Sequence, residues 1–128
     1  MGKNHFSIRR RLGSFKYAIN GLLLLIREEH NSRIHFFAGI MAILLGWLLE
    51  INSVEWMIIC GVIGFVFAME LINSAIENLC DLVSPEKNDL VKKAKDQAAG
   101  AVLVSAIVAL VCGLFIFIPK LLVFFRGQ

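Results

Sequence analysis

The sequence lacks the equipment of most soluble enzymes. Cysteine occurs only at Cys60, Cys80 and Cys112, without metal-type spacing, so neither a zinc site nor a disulfide framework is expected. No Walker A sequence, glycine-rich phosphate loop or protein-kinase signature is present. His5, His30 and His35 have no partners at a recognisable catalytic spacing, and each reads singly as an interfacial residue. Charge is scarce as well. Asp, Glu, Lys and Arg make up 18% of the chain, against about a quarter in a soluble domain. No apolar core leading to a small-residue cleavage site follows the basic N-terminus before residue 34, so no signal peptide is expected.

What fills the chain instead is long apolar runs. Hydrophobic residues make up 58% of its 128 residues, room for one membrane domain covering 1–128. Ile34 to Leu49 contains no Lys, Arg, Asp or Glu. Val54 to Ile72 is interrupted only by Glu55 and Glu70, and Ala98 to Ile118 is closed by Pro119 and Lys120. A spanning helix needs about 20 residues, with a range of roughly 17–25. Ahead of these runs, Ile8, Leu12, Phe15, Ile19, Leu22 and Ile26 recur at helical spacing, with Arg9, Lys16 and Arg27 on another face. That pattern suits the membrane surface. The expected fold is all-α: a surface helix at 7–29 and helices at 34–50, 54–79 and 90–118 that form or extend three spans.

Basic residues set the expected orientation. Lys3, Arg9, Arg10, Arg11, Lys16, Arg27 and Arg33 precede the first run; Lys87, Lys92, Lys93 and Lys95 lie in the second link. The first link, Glu50 to Glu55, has no Lys or Arg, and Trp47 and Trp56 flank it. The positive-inside rule places the N-terminus and second link in the cytoplasm. The net charge of +3 is then membrane-side bias, with no sign of nucleic-acid binding. In the third run, Ala101, Ser105, Ala109 and Gly113 recur every four residues, spacing that lets helices approach closely in lipid.

The second run ends unusually. At 100° per residue, Asn73, Ser74, Glu77 and Asp81 fall within about 60° of Glu70 around a helix. Intramembrane carboxylates are expensive, and by default they mark function. Two polar clusters share that side of the membrane, Arg27 to Arg33 and Lys92 to Asp96. Carboxylates from Glu29, Glu70 and Glu77 are suited to Mg²⁺, which takes oxygen ligands and shares them with phosphate. Neighbouring lysines are suited to phosphate charge. Such a pocket fits the joining of a water-soluble phosphate compound to a membrane lipid. Two other classes stay open on these residues: a small proton-coupled transporter with Glu70 as its proton site, and a noncatalytic subunit that binds anionic lipid through the basic helix.

The stretch Glu70-Leu-Ile-Asn73-Ser74-Ala-Ile-Glu77 resembles the E-x-x-N-[ST]-A-I-E signature of the prokaryotic diacylglycerol kinase family. Asp81 and Ala94-Lys95-Asp96 fall at the family's positions, as do Glu29 and Arg33. The likeness runs from about residue 8 to residue 118. It implies a homotrimeric lipid kinase in a bacterial cell membrane, passing the γ-phosphoryl group of MgATP to a lipid hydroxyl. By position, the resemblance makes Glu70 the base and gives Asn73 the ordering of the catalytic carboxylates. It makes Glu29 and Glu77 the Mg²⁺ ligands. Around the nucleotide it places Arg10, Tyr17, Glu29, Glu77, Glu86, Lys87, Asn88, Lys95 and Asp96. Arg10, Glu70 and Ala99 fall at lipid-binding positions. The enterobacterial type has a serine where this chain has Ala99, so a headgroup contact from that hydroxyl is ruled out here. The segments 28–35 and 77–82 are more similar to the branch that includes undecaprenol kinases. The acceptor implied is therefore undecaprenol or diacylglycerol.

Overall fold

The computed structural model describes residues 8–84, 86 and 88–127, with side chains from residue 13 onward. These form four helices: α1 (Ile8–Glu28), α2 (His30–Leu48), α3 (Ser53–Val83) and α4 (Asp89–Arg126). α2, α3 and α4 are each long and apolar enough to cross a membrane, which makes the chain a multi-pass membrane protein.

α1 is amphipathic, yet among its described side chains only Leu25 is deeply buried; Phe15, Ile19 and Leu22 stay exposed. A helix lying on a membrane surface leaves such a face to the lipid. It ends at Glu29, whose extended backbone breaks the run and starts α2. The corner is held by Arg33. Its Nε donates to the Ile26 carbonyl at 3.0 Å and its Nη2 to the Arg27 carbonyl at 2.7 Å. Those carbonyls end a helix and have no partner within it, so the guanidinium closes them and complements the negative end of the helix dipole.

α2 meets α3 through a stripe of small residues. Ser32, Gly39 and Gly46 are its buried positions, and all lie on one helical face. A Cβ added at Gly46 would stand 2.9 Å from both Ile51 Cδ1 and Trp56 Cη2, so only glycine admits this approach. The following turn is tight. Glu50 takes φ 49°, the left-handed region, and the Ile51 amide donates back to the Gly46 carbonyl at 3.1 Å. Asn52 then caps α3 by accepting from the amides of Val54 and Glu55, while the Glu55 carboxylate accepts from the Asn52 amide at 2.7 Å. This reciprocal box satisfies donors that α3 would otherwise leave open.

α3 and α4 pack antiparallel over most of their length. With 31 and 38 residues they measure about 46 and 57 Å at 1.5 Å per residue, against a hydrocarbon core of about 30 Å. Both therefore project beyond the lipid. Lys120 and Glu55 pair at 3.1 Å at the end bearing the α2–α3 turn, and Lys95 pairs with Asp81 at the other. The sequence closes the third run at Pro119, but α4 continues through it to Arg126. A proline costs one backbone bond, and the apolar segment beyond it, Leu121 to Phe125, gains by keeping its polar backbone inside a helix. The buried core lies at the turn end: Ile51, Ile59, Ile116 and Phe117, with Trp56, Ile63 and Leu121 packed around them. Within the apolar window of each span only 17% of residues are buried, so most of each helix is left to lipid or to other protein copies.

Candidate active site

The polar stripe on α3 takes the form expected from its spacing, and burial grades along it. Glu70 is 3% exposed, Asn73, Ser74 and Glu77 are half-buried, and Asp81 is exposed. The stripe thus runs from the interior of the bundle out to water.

Glu70 is set from α2. Ser32, fully buried, donates its Oγ hydrogen to Glu70 Oε2 at 2.8 Å. His35, one helical turn on, places Nε2 3.3 Å from Glu70 Oε1. That contact is close enough for an ion pair but lies off the line of a hydrogen bond, and Oε1 keeps no hydrogen-bond partner. A buried carboxylate oxygen without a donor is rare, because its desolvation goes uncompensated. Here it leaves room for an incoming hydrogen-bond donor. Ser32 and His35 were not identifiable from sequence. The available signal was their spacing of three on the small-residue face of α2, the face that meets α3.

Below His35 the bundle opens into an apolar groove of about 510 Å³ between α2, α3 and α4. Ala38, Gly39 and Ala42 line it from α2, and Ala106, Ala109 and Gly113 from α4. His35 is its only lining side chain with an ionisable group. The small residues of α4 thus serve two ends: Ser105 is fully buried, donating to the Val102 carbonyl at 2.7 Å, and Ala109 and Gly113 leave room for the groove. Ala101 is exposed.

The two remaining carboxylates arrive at adjacent residues of α3. The Glu29 Oε1 accepts from Ser74 Oγ at 3.4 Å, and Glu77 Oε1 accepts from Asn73 Nδ2 at 2.9 Å. The Asn73 Oδ1 is buried and has no partner. Among the described residues no group of three or more His, Cys, Asp or Glu gathers as a metal site. Mg²⁺ does not ask for one: it takes one or two carboxylates and fills its octahedron with water and phosphate oxygens. Glu29 and Glu77, each anchored by one oxygen and approaching neighbouring residues, fit that habit.

The residues expected around a nucleotide lie further out. Lys95, half-buried on α4, pairs with Asp81 of α3, and Asp96 pairs with Lys92 at 3.3 Å. Asn88 caps α4 by accepting from the amides of Leu90 and Val91. The Glu86 carbonyl accepts from Ser84 Oγ at 3.3 Å, while Tyr17 and Ala99 are exposed. The Arg10 side chain and Lys87 lie outside the described residues. One chain thus sets Glu70, Asn73 and Glu77 along one face of α3, brings Glu29 to Ser74 on the same helix, and pairs Lys95 with Asp81 further along it. Among the described residues, Tyr17 and Asn88 make no hydrogen bond or ion pair with them.

Several known proteins are similar to this chain in sequence. A family profile described as prokaryotic diacylglycerol kinase matches residues 16–117. An undecaprenol kinase of Bacillus subtilis (strain 168) is 42% identical over 114 residues, covering 89% of this chain and 93% of the relative. A diacylglycerol kinase of Synechocystis sp. is 38% identical over 112 residues, covering 87% of this chain and 64% of the relative. A diacylglycerol kinase of Escherichia coli (strain K12) is 27% identical over 111 residues, covering 87% and 91%.

Proposed function

Because the chain belongs to the prokaryotic diacylglycerol kinase family, it is a lipid kinase, and we propose that it moves the γ-phosphoryl group of ATP to the hydroxyl of undecaprenol. The observation that carries this reading is the unpartnered oxygen of buried Glu70, which faces His35 where that residue lines an otherwise apolar groove. An isoprenoid alcohol presents one hydroxyl on a hydrocarbon chain. Such a groove asks for nothing more polar. A diacylglycerol brings two ester carbonyls, which need donors that the lining does not offer.

Glu70 accepts the hydroxyl proton as the oxygen attacks. Ser32 holds the other carboxylate oxygen, so the base is oriented before substrate arrives. Asn73 fixes Glu77, and Ser74 meets Glu29, which keeps the Mg²⁺ ligands aligned with the base along one helix face. When bound, the metal neutralises phosphate charge, the main requirement of phosphoryl transfer. Lys95 adds a cation beside the nucleotide phosphates, with Asp96, Asn88, Glu86, Lys87, Tyr17 and Arg10 around the rest of the ATP. Arg10 and the unobstructed surface at Ala99 border the lipid headgroup. The N-terminus and the α3–α4 link face the cytoplasm, where ATP is. Three copies of the chain cover the apolar helix faces that one copy leaves exposed.

The test is transfer of label from γ-labelled ATP, with Mg²⁺, in detergent micelles, offering undecaprenol and diacylglycerol separately. The expected result is label in undecaprenol, lost in Glu70→Gln. Label confined to diacylglycerol overturns the acceptor, and label that survives Glu70→Gln overturns the base.

A further inference from the structure

Glu70 has a difficulty that its burial creates. A base at 3% exposure takes a proton in each turnover and must lose it before the next. Ser32 offers no outlet: it is fully buried and its hydroxyl already donates to Oε2. The free oxygen, Oε1, faces His35 Nε2 at 3.3 Å. His35 differs from the other two groups in keeping a quarter of its side chain exposed. It also lines the apolar groove between α2, α3 and α4, which Glu70 itself does not line. Histidine is also the side chain that both accepts and releases protons near neutral pH.

We propose that His35 is the proton outlet of Glu70, a positioning residue that receives on Nε2 the proton the carboxylate has taken from the lipid. This rests on the reading of Glu70 as the base. In the transfer step the lipid O–H bond breaks and its proton goes to Glu70 Oε1. The oxygen's electron pair forms the new bond to the γ-phosphorus. The bond from that phosphorus to the β–γ bridging oxygen breaks, and its electrons leave with ADP. The proton then passes from Oε1 to the Nε2 lone pair, the imidazolium gives up its Nδ1 proton to water, and the neutral ring returns to the Nδ1–H tautomer before the next turnover. The overall balance is one lipid alcohol and ATP giving lipid phosphate, ADP and a proton.

The test uses the full-length protein in micelles, with His35→Gln, His35→Ala and Glu70→Gln side by side. Glutamine keeps a polar group at the site but cannot carry a proton away. The expected result is a fall in kcat of about a hundredfold in His35→Gln and His35→Ala, with KM for the lipid nearly unchanged. Added imidazole restores turnover to His35→Ala, and substituted imidazoles restore it in order of their base strength. His35→Gln turning over like the unmodified protein overturns the proposal while leaving Glu70 as the base. Rescue indifferent to base strength also overturns it, since filling space would then suffice. Should His35→Ala fail to fold, His35→Gln alone decides. Full activity in Glu70→Gln overturns the base assignment and this outlet with it.

Discussion

Ser32 and Glu70 lie 38 residues apart in the chain and share a hydrogen bond of 2.8 Å between two side chains that are almost wholly buried. No water is needed to satisfy that carboxylate oxygen, and no other described donor reaches it. The pair therefore fixes the rotamer of the one carboxylate placed deep in the bundle.

Ser32→Ala removes the donor and leaves the carboxylate oxygen buried and unsatisfied. A bond to a charged group contributes about 1.5–3 kcal/mol, so kcat falls about ten- to a hundredfold. Ser32→Thr, which keeps the hydroxyl, retains more activity than Ser32→Ala. Initial rates of lipid phosphorylation at saturating ATP measure both.

Asn73→Ala releases Glu77 from its 2.9 Å bond. Losing a group that orients a metal ligand typically weakens metal affinity about ten- to a hundredfold. The Mg²⁺ concentration for half-maximal activity rises accordingly, and excess Mg²⁺ recovers part of the rate. A Mg²⁺ titration that superimposes on that of the unmodified protein would show that Glu77 needs no such support.

Gly46→Leu forces a side chain into the space held by Ile51 and the Trp56 ring. The ring is rigid, so the helices have to separate. Overpacking of this kind costs about 1–3 kcal/mol, read as a lower midpoint of thermal unfolding in detergent. Gly61→Ala is the control, because a Cβ there meets nothing within 4 Å.

Glu50→Gly acts in the opposite direction. The left-handed backbone at φ 49° costs an ordinary residue about 1 kcal/mol that glycine does not bear. The unfolding midpoint rises, and the rate of phosphorylation is unchanged, since Glu50 lies at the end of the bundle away from Glu70. A lowered midpoint would mean that the Glu50 side chain stabilises the turn by more than its backbone costs.

The three spans and the polar stripe were legible because both are periodic. Apolar runs of span length and carboxylates at helical spacing are properties of single helices, and α2, α3 and α4 carry them. The partners across helices were not legible. That Ser32 and His35 face Glu70 depends on how α2 packs on α3, which Gly39 and Gly46 decide together with the turn at Glu50. Arg33 reads in the sequence only as one of the basic residues ahead of the first run; that it closes the carbonyls of Ile26 and Arg27 depends on the corner between α1 and α2. Pro119 reads as an end signal, but in lipid the helix beyond it has no better conformation available.

The contiguous cluster of buried apolar residues sits at the α2–α3 turn, where Ile51, Ile59, Ile116 and Phe117 meet and Lys120 joins Glu55. Toward the opposite end Leu25 and Ala98 are buried outside that cluster, and polar contacts such as Ser32–Glu70 and Lys95–Asp81 join the helices. The chain is laid out like a pair of tongs, with its apolar rivet at one end. The jaws are the polar end, where the site proposed for lipid and nucleotide lies. Admitting two substrates from different phases would ask for give there and not at the rivet.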